Sequence, residues 1–200
     1  MKRKILITGA LGFIGQYLIK NCFKNYEILG VDNKKPEKDL NNDSSFFKLY
    51  NVDLRDSQSI QQFWKEIEPF HKEIEAIIHL AAYYDFSNKP HPNYVKLQIG
   101  LKSLLDLMEK DLPKSCCFIS AASMASFRST VPGIPLTEKS LRSIAWEYPK
   151  SKVFNEGNSS KPITFDAMLN SRRFSAFIYK EENIYQDTPI FCCKIFSELS

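Results

Sequence analysis

Strand-like and helix-like segments alternate along the first 120 residues, and this alternation constrains the fold more than any other feature. Short apolar runs such as KILIT at residues 4–8 predict buried strands, and apolar residues spaced four apart predict helices between them. Parallel strands need crossovers, so this order predicts an α/β fold, a doubly wound parallel sheet with helices on both faces. The predicted strands are 4–8, 27–32, 46–53, 75–80 and 116–120, and the predicted helices are 13–25, one opened by Asp56, and 92–110.

A glycine-rich turn, TGALGFIG, joins the first predicted strand to the first helix. Gly9 permits a tight turn, Gly12 lets the backbone approach a pyrophosphate, and Gly15 lets the helix pack closely on the strand. The start of the helix also offers unpaired N–H groups and a positive dipole end to phosphates. Because ligands of such sheets bind at the carboxyl ends of the strands, the turn predicts a dinucleotide site there.

Asp32 ends the second predicted strand, 17 residues after Gly15. A carboxylate at this place accepts hydrogen bonds from ribose hydroxyls and repels a 2′-phosphate, which favours NAD over NADP. Lys34 and Lys35 weaken that preference, because they could approach a 2′-phosphate. A solvated aspartate in a turn is the alternative interpretation.

Two further motifs follow the third and fourth predicted strands. In DLRD, Asp56 is predicted to cap a helix, and Asp53 either does the same or faces an adenine amine. In HLAA, the small residues 81–82 let a ligand lie against the backbone. We interpret His79 as a hydrogen-bonded histidine of the core rather than as a base or a metal ligand.

Tyr148, Lys152 and Ser123 form a candidate acid–base site. Tyr148 and Lys152 are four residues apart, so a helix would place them on one face. A neighbouring ammonium lowers the pKa of a phenol, which would make Tyr148 a usable acid and base near neutral pH. Ser123 follows the fifth strand and could hydrogen-bond the same substrate oxygen. Taken alone, the Tyr/Lys spacing is also typical of an ordinary surface pair.

Taken in order, the motifs TGxxGFIG, GVDN, DLRD, HLAA, a serine after the next strand, and YPKSK resemble the extended short-chain dehydrogenase/reductase family, the NAD-dependent sugar epimerases and dehydratases. The resemblance covers residues 3–156 and implies a Rossmann fold that binds NAD. It implies that Ser123, Tyr148 and Lys152 are catalytic. The residues that it assigns to the cofactor are Gly9, Gly12, Phe13, Ile14 and Gly15 at the pyrophosphate, Asp32 at the ribose, Asp53 and Leu54 at the adenine, Leu80, Ala81 and Ala82 along the groove, and Tyr148 and Lys152, with Lys152 at the nicotinamide ribose.

The chain departs from the family pattern in two places. The family usually has an asparagine three residues before the glycine of its long fourth helix, and Leu97 stands there, three residues before Gly100. No family-like segment follows the helix of Lys152. We therefore expect an NAD-binding domain over residues 1–156, an atypical tail over 157–200 with apolar islands at 163–169, 174–179 and 190–196, and a substrate domain that is largely missing.

Composition excludes several other classes of protein. The chain of 200 residues is 44% hydrophobic, and its net charge of +4 comes from scattered lysines, which argues against nucleic-acid binding. No apolar run approaches the ~20 residues of a membrane span, and the N-terminal apolar run is too short for a signal peptide, so we expect a cytoplasmic protein. The odd cysteine count without C-x-x-C predicts reduced thiols and no metal site. The cysteines are Cys22, Cys116, Cys117, Cys192 and Cys193.

Two functions remain open. The first is hydride transfer between NAD and a hydroxyl-bearing small molecule, with a nucleotide sugar as the family-level expectation for the substrate. The second is a truncated, catalytically silent NAD-binding protein. Helix 92–110 carries Tyr94, Val95 and Ile99 beside its main apolar stripe, and the resemblance implies a homodimer through this helix and the one near Tyr148.

Overall fold

The described part of the chain contains six strands and four α-helices, as seen in a computed structural model. The structure describes residues 3–21, 25–35, 46–85, 87, 89–121, 123–131, 133–134, 140–155 and 175–176. The elements, in order, are β1 (Lys4–Thr8), α1 (Phe13–Asn21), β2 (Glu27–Asp32), β3 (Phe47–Asn51), α2 (Ser57–Glu66), a 3-10 helix (Glu68–Glu73), β4 (Ile74–His79), α3 (Pro92–Asp111), β5 (Cys117–Ala121), a second 3-10 helix (Met124–Ser126), α4 (Glu147–Asn155) and β6 (Ser175–Ala176).

The strands form one parallel sheet in the order β3-β2-β1-β4-β5-β6. The chain runs outward from β1 to β3 on one side and then from β4 to β6 on the other. This confirms the predicted doubly wound sheet. The reversal of direction lies between β1 and β4, where open sheets of this kind bind their ligands.

Both faces of the sheet are buried, and accordingly no residue of β1 is exposed to solvent. Leu6 of β1 packs with α2 and α3 on one face, and Ile5 and Ile7 pack with α1 on the other. Successive side chains of a strand point to opposite faces, so one apolar run supplies both cores. The helical side chains that fill them include Ile60, Phe63, Trp64, Leu104 and Met108 on the first face and Leu18 on the second.

Helix α3 presents a narrower outer face than the sequence predicts. Val95 and Ile99 are each 55% exposed, as expected for a second apolar surface. The prediction that Tyr94 belongs to the same outer surface is wrong, because its side chain is only 3% exposed. Its ring packs edge-on against Tyr83 in the loop after β4, which draws it into the protein.

Helix α4 begins at Glu147, one residue before Tyr148. Pro149 is compatible with this start, because the N–H groups of a first helical turn have no intrahelical partner to lose. Tyr148 and Lys152 therefore lie on one helix, as expected.

The region after residue 156 is described only at Ser175–Ala176. These residues pair in parallel with β5 and add a sixth strand within the apolar island at 174–179. The islands at 163–169 and 190–196, and Cys22, Cys192 and Cys193, lie outside the described residues.

Candidate active site

A cleft opens at the carboxyl ends of β1, β2 and β4, at the reversal of strand order. Its volume is about 250 Å³. The sequence-predicted cofactor residues that line it are Gly9, Gly12, Asp32, Asp53, Leu54, Leu80, Ala81 and Ala82. Residues from four separate motifs thus meet at one place, because the parallel topology brings the ends of their strands together.

The turn after β1 needs glycine at its first position. Gly9 has a φ of +70°, a backbone conformation that L side chains rarely adopt. Its N–H donates to the Val31 carbonyl at 2.8 Å, and a Cβ on it would lie 2.8 Å from the Ala81 nitrogen. The turn therefore lies directly against the loop that follows β4, and it leaves the floor of the cleft free of side chains.

Three predicted cofactor residues at the start of α1 do not line the cleft with their side chains. Phe13 is 76% exposed, and Ile14 packs against the core on the α1 face of the sheet. Gly15 is buried, and a Cβ on it would lie 2.5 Å from the Gly9 carbonyl oxygen. Any contact of these residues with a phosphate would be made by backbone N–H groups.

Asp32 is held at the end of β2 by two backbone N–H groups. Its Oδ2 accepts from Leu11 N at 2.9 Å, and its Oδ1 accepts from Lys34 N at 3.0 Å. A carboxylate has about four acceptor sites, so this fixed group retains capacity for further hydroxyl donors. The side chain lines the cleft, which is the position that a ribose-binding carboxylate requires.

Asp53 and Asp56 have separate roles in the loop before α2. Asp56 is the N-cap, and its Oδ1 accepts from Gln58 N at 2.9 Å, which confirms the prediction. Asp53 does not cap the helix. Its carboxylate binds the Arg55 guanidinium at 2.7–3.1 Å, and these hydrogen bonds lower its pKa.

His79 is a core histidine, as interpreted from the sequence. Its Nδ1 lies 2.8 Å from the Thr8 hydroxyl, and its side chain is buried. Burial lowers its pKa to about 3, with a smaller contribution from the charge of Lys152. The imidazole is therefore neutral at neutral pH.

Acidification is expected to destabilise the protein through His79. The unfolded imidazole binds a proton below about pH 6.5 and the folded one does not, so the unfolded state gains stability as pH falls. Between pH 7 and pH 5 the loss is about 2 kcal/mol. Urea unfolding at both values measures it. His79→Gln should reduce the difference, and the control His71→Gln should retain it; an equal difference in the parent and His79→Gln would contradict the prediction.

Ser123, Tyr148 and Lys152 come together between the end of β5 and the start of α4. The Ser123 side chain lies near enough to the Tyr148 phenol to act against the rise of its pKa. The Lys152 ammonium lies 5.6 Å from the centre of the Tyr148 ring and donates to the Ala121 carbonyl at 3.2 Å. None of the three lines the cleft, but the Tyr148 ring lies 4.6 Å from the Tyr84 ring, and the preceding residue, Tyr83, does line it.

The predicted lowering of the Tyr148 pKa is wrong for this structure. Burial raises that pKa, the hydrogen bond from Ser123 opposes the rise, and the Tyr84 phenol adds to it. The physical reason is the burial of the phenol, which the Lys152 ammonium, 5.6 Å from the ring centre and bonded to the Ala121 carbonyl, does not offset.

Sequence reasoning gave no site role to several residues of the cleft. Arg55 extends along its wall while bound to Asp53, and Tyr83 adds an aromatic ring. Leu97 also lines the cleft, so an apolar side chain stands where the family resemblance implies an asparagine. Arg55 belongs to the DLRD motif and Tyr83 directly follows HLAA, so their positions in the sequence could have indicated a role in the site. The additional lining residues are Leu11, Val31, Asn33, Lys34, Val52, Arg55, Tyr83 and Leu97.

Cys116 and Cys117 are buried, and neither is in a disulfide bond. Burial raises the pKa of the Cys116 thiol to about 12, so it is not a nucleophile at neutral pH. Within the described ranges, no group of three or more side chains could hold a metal ion. None of the described helices is both long and apolar enough to span a membrane.

A family model described as the NAD dependent epimerase/dehydratase family matches residues 5–157. The chain belongs to this family. NAD is the cofactor of the family, which agrees with the glycine turn, the fixed Asp32 and the shape of the cleft. A second model, gliding motility associated protein GldN, matches residues 134–191.

Known relatives are about twice as long as this chain. UDP-glucose 4-epimerase 2 of Arabidopsis thaliana is 26% identical over 169 residues, which are 78% of this chain and 46% of the relative. The UDP-Glc/GlcNAc 4-epimerase structure from Campylobacter jejuni has a TM-score of 0.64 at 22% identity and covers 94% of this chain and 58% of its own. The Thermus thermophilus UDP-glucose 4-epimerase complex with NAD has a TM-score of 0.62 at 20% identity and covers 76% and 49%. The chain spans about half the length of the curated relatives it matches.

Proposed function

We propose that this protein binds NAD in the cleft and transfers hydride between NAD and a hydroxyl-bearing small molecule, for which a nucleotide sugar is the proposed class. The observation that carries the proposal is that the candidate cofactor cleft and the candidate acid–base site are neighbours. The cleft presents Asp32 and the glycine turn, and Tyr148 of the acid–base site packs against Tyr84, the residue after Tyr83 of the cleft lining. The buried thiols of Cys116 and Cys117, which are not in a disulfide, suit a reducing compartment, and we propose that the protein is cytoplasmic.

In this proposal the chain binds the dinucleotide through backbone and carboxylate groups. Asp32 accepts hydrogen bonds from the adenosine ribose, the turn at Gly9 and Gly12 approaches the pyrophosphate, and Leu54 lies beside the adenine. NAD, when bound, supplies the hydride acceptor. The residues that fit this cofactor are therefore those that form the floor and rim of the cleft.

Tyr148 takes the proton from the substrate hydroxyl while Ser123 holds the same oxygen. Because burial raises the pKa of Tyr148, proton removal should accelerate as pH rises. Lys152 is anchored by the Ala121 carbonyl below the ring and holds the nicotinamide ribose in this proposal.

A second candidate is an NAD-binding protein without turnover. The raised pKa of Tyr148 favours it, because a phenol that is hard to ionise is a weak base at neutral pH. Incubating the purified chain with NAD and a panel of nucleotide sugars and secondary alcohols separates the two candidates. NADH formation or conversion of the sugar to an epimer or a dehydrated product supports the oxidoreductase, and NAD binding without either supports the silent protein.

Asp32→Ala should weaken NAD binding about 10- to 100-fold, because a charge-assisted hydrogen bond contributes about 1.5–3 kcal/mol. The loss of the carboxylate should also narrow the difference between NAD and NADP, since the repulsion of the 2′-phosphate disappears. Calorimetric titration with both dinucleotides measures this. Asp32→Asn is the matched control, because it keeps an acceptor for Leu11 N and removes only the charge. Equal or tighter NADP binding by the parent would refute the role of Asp32.

We propose that the chain forms a homodimer through α3 and α4. Val95 and Ile99 lie one helical turn apart on the outer face of α3, and each is 55% exposed. Light scattering at micromolar concentration should give the mass of a dimer, and Ile99→Glu should shift it to a monomer. A monomeric mass for the parent would rule the dimer out.

A further inference from the structure

Residues 52–55 lie at one end of the cleft, beyond Asp32. Along the sheet, the glycine turn follows β1, Asp32 ends β2, and residues 52–55 follow β3, the next strand outward. The Val52 N–H donates to the Asp32 carbonyl at 2.9 Å, which joins the two segments. In the proposed binding mode the pyrophosphate and the ribose occupy the first two positions, so the purine base of the dinucleotide lies at the third. We call the part of the cleft formed by residues 52–55 the base end.

Apolar side chains form the wall of the base end and do not distinguish one purine from another. Val52 and Leu54 are 3% and 5% exposed and line the cleft, and Leu97 lines it from α3. Such side chains bind the faces of a flat ring through dispersion, which depends on contact area rather than on the polar groups at the ring edge. Selection among purines therefore depends on polar side chains, and those of the base end are Asp53 and Arg55.

Arg55 occupies both oxygens of the Asp53 carboxylate. Oδ1 accepts from the Arg55 backbone N–H at 2.9 Å and from its Nε at 2.8 Å, and Oδ2 accepts from Nη2 at 2.7 Å and from Nε at 3.1 Å. A carboxylate has about four acceptor sites, so the capacity of Asp53 for another donor is nearly exhausted. The carboxylate of Asp32 differs, because its two backbone N–H donors leave part of that capacity unused.

A neutral adenine amine is a weak competitor for the Asp53 carboxylate. The Asp53 and Arg55 side chains are 37% and 33% exposed, and an ion pair with this exposure usually contributes little. This pair, however, is bidentate and is supplemented by a backbone N–H, the geometry in which charged hydrogen bonds are strongest. An amine donates one neutral hydrogen bond, which is weaker. The carboxylate therefore stays on Arg55 when a dinucleotide binds.

The pair of Asp53 and Arg55 offers donors to a ligand rather than acceptors. The bonds to Asp53 use the Arg55 Nε–H and an Nη2 hydrogen, which leaves the Nη1 hydrogens outside the pair. Arg55 itself lines the cleft. Adenine carries an amine donor at C6, whereas a 6-oxopurine carries an oxygen acceptor there, and a guanidinium can bind that oxygen together with N7.

We propose that Arg55 determines the base selectivity of this protein, so that the cleft binds a dinucleotide with a 6-oxopurine and NAD with similar affinity. The inference rests on the proposed function, since it concerns the base of the dinucleotide in the same cleft. Arg55 acts in two ways: it occupies the carboxylate that would accept from the amine, and it offers donors to an oxygen at C6. Asp53 is then a positioning residue that holds the guanidinium.

The test compares NAD with nicotinamide hypoxanthine dinucleotide, two probes that differ only at the C6 edge of the purine. Calorimetric titration of the parent should give dissociation constants within about threefold of each other, a smaller difference than one neutral hydrogen bond produces. Arg55→Met keeps an apolar stem and frees the Asp53 carboxylate, which then accepts from the amine and repels the oxygen. NAD should become the tighter ligand of that variant by about 10-fold.

Two further variants separate the carboxylate from the positive charge around it. In the double variant Asp53→Asn/Arg55→Met, the amide can either donate or accept, so the preference for NAD should disappear. Lys96→Met is the matched control, because the bonds from Arg55 lower the pKa of Asp53 most and the charge of Lys96 adds to this effect. This control keeps the pair and should bind both dinucleotides in the parental ratio. Thermal melts check that each variant is folded.

Two results would overturn this role of Arg55. One is a parent chain that binds NAD about tenfold more tightly than nicotinamide hypoxanthine dinucleotide, because the adenine amine would then have an acceptor in spite of the pair. The other is an Arg55→Met variant with the parental ratio. A parent that binds neither dinucleotide would refute the proposed function and this inference with it, whereas a parent that prefers NAD refutes this inference alone.

Discussion

Replacing Tyr148 with phenylalanine is expected to lower turnover about 10²–10⁴-fold, which is the usual contribution of general acid–base assistance. The dissociation constant of NAD should stay nearly unchanged, because the phenol hydroxyl acts on the substrate and the ring that remains keeps its contacts with Tyr84 and Trp146. Steady-state rates of NADH formation, together with NAD titrations, measure the two effects separately.

Two further variants serve as a comparison and a control for Tyr148→Phe. Lys152→Ala should reduce both turnover and NAD affinity, since the same ammonium lies beneath the Tyr148 ring and holds the nicotinamide ribose in our proposal. Tyr26→Phe is the matched control, because it removes a hydroxyl just before the amino end of β2, whereas the cleft lies at the carboxyl ends of the strands. A Tyr148→Phe protein with parental turnover would show that another group moves the proton.

Gly100→Ala is expected to lower the free energy of unfolding by about 3 kcal/mol, a large effect for one methyl group. A Cβ on Gly100 would lie 1.7 Å from the Leu54 carbonyl oxygen, so α3 must move away from the loop after β3. The ~1 kcal/mol that alanine gains in helix propensity is smaller than this cost. For a chain of this size the melting temperature should fall by about 6–12 °C.

The same substitution should weaken NAD binding, because Leu54 and Leu97 line the cleft on either side of this contact. Ser103→Ala is the control for a change of residue on the same helix, and its stability should stay within about 0.5 kcal/mol of the parent. Thermal melts and NAD titrations of both variants check the prediction. A Gly100→Ala protein as stable as the parent would mean that the loop yields without cost.

The strands and the ligand edge of the sheet could be predicted from local sequence, because burial on both faces leaves an unmistakable apolar run such as Ile5–Ile7. The cap at Asp56 and the core role of His79 were equally accessible, since each depends on a few neighbouring residues. The start of α4 at Glu147 was not, because the proline at 149 obscures a helical turn that tolerates it.

Contacts between segments that are distant in the chain could not be predicted from the sequence. The pKa of Tyr148 depends on the burial of the phenol and on the position of the Lys152 ammonium, and a spacing of four residues predicts neither. The pairing of Asp53 with Arg55 competes with two other partners that the sequence allows. The meeting of Tyr84 with Trp146 and Tyr148 depends on the path of the loop after β4, and no local pattern specifies that path.

Strand β1 has β2 on one edge and β4 on the other, and during synthesis these two partners become available at different times. Residues 27–32 leave the ribosome soon after β1, whereas residues 74–79 follow only after β3 and α2 have been made. Until then, β1 presents a row of unpaired backbone N–H and C=O groups in its most apolar segment. The nascent chain therefore has an unpaired, aggregation-prone strand edge until β4 has been translated. During this interval a chaperone or a second nascent chain would bind to that edge.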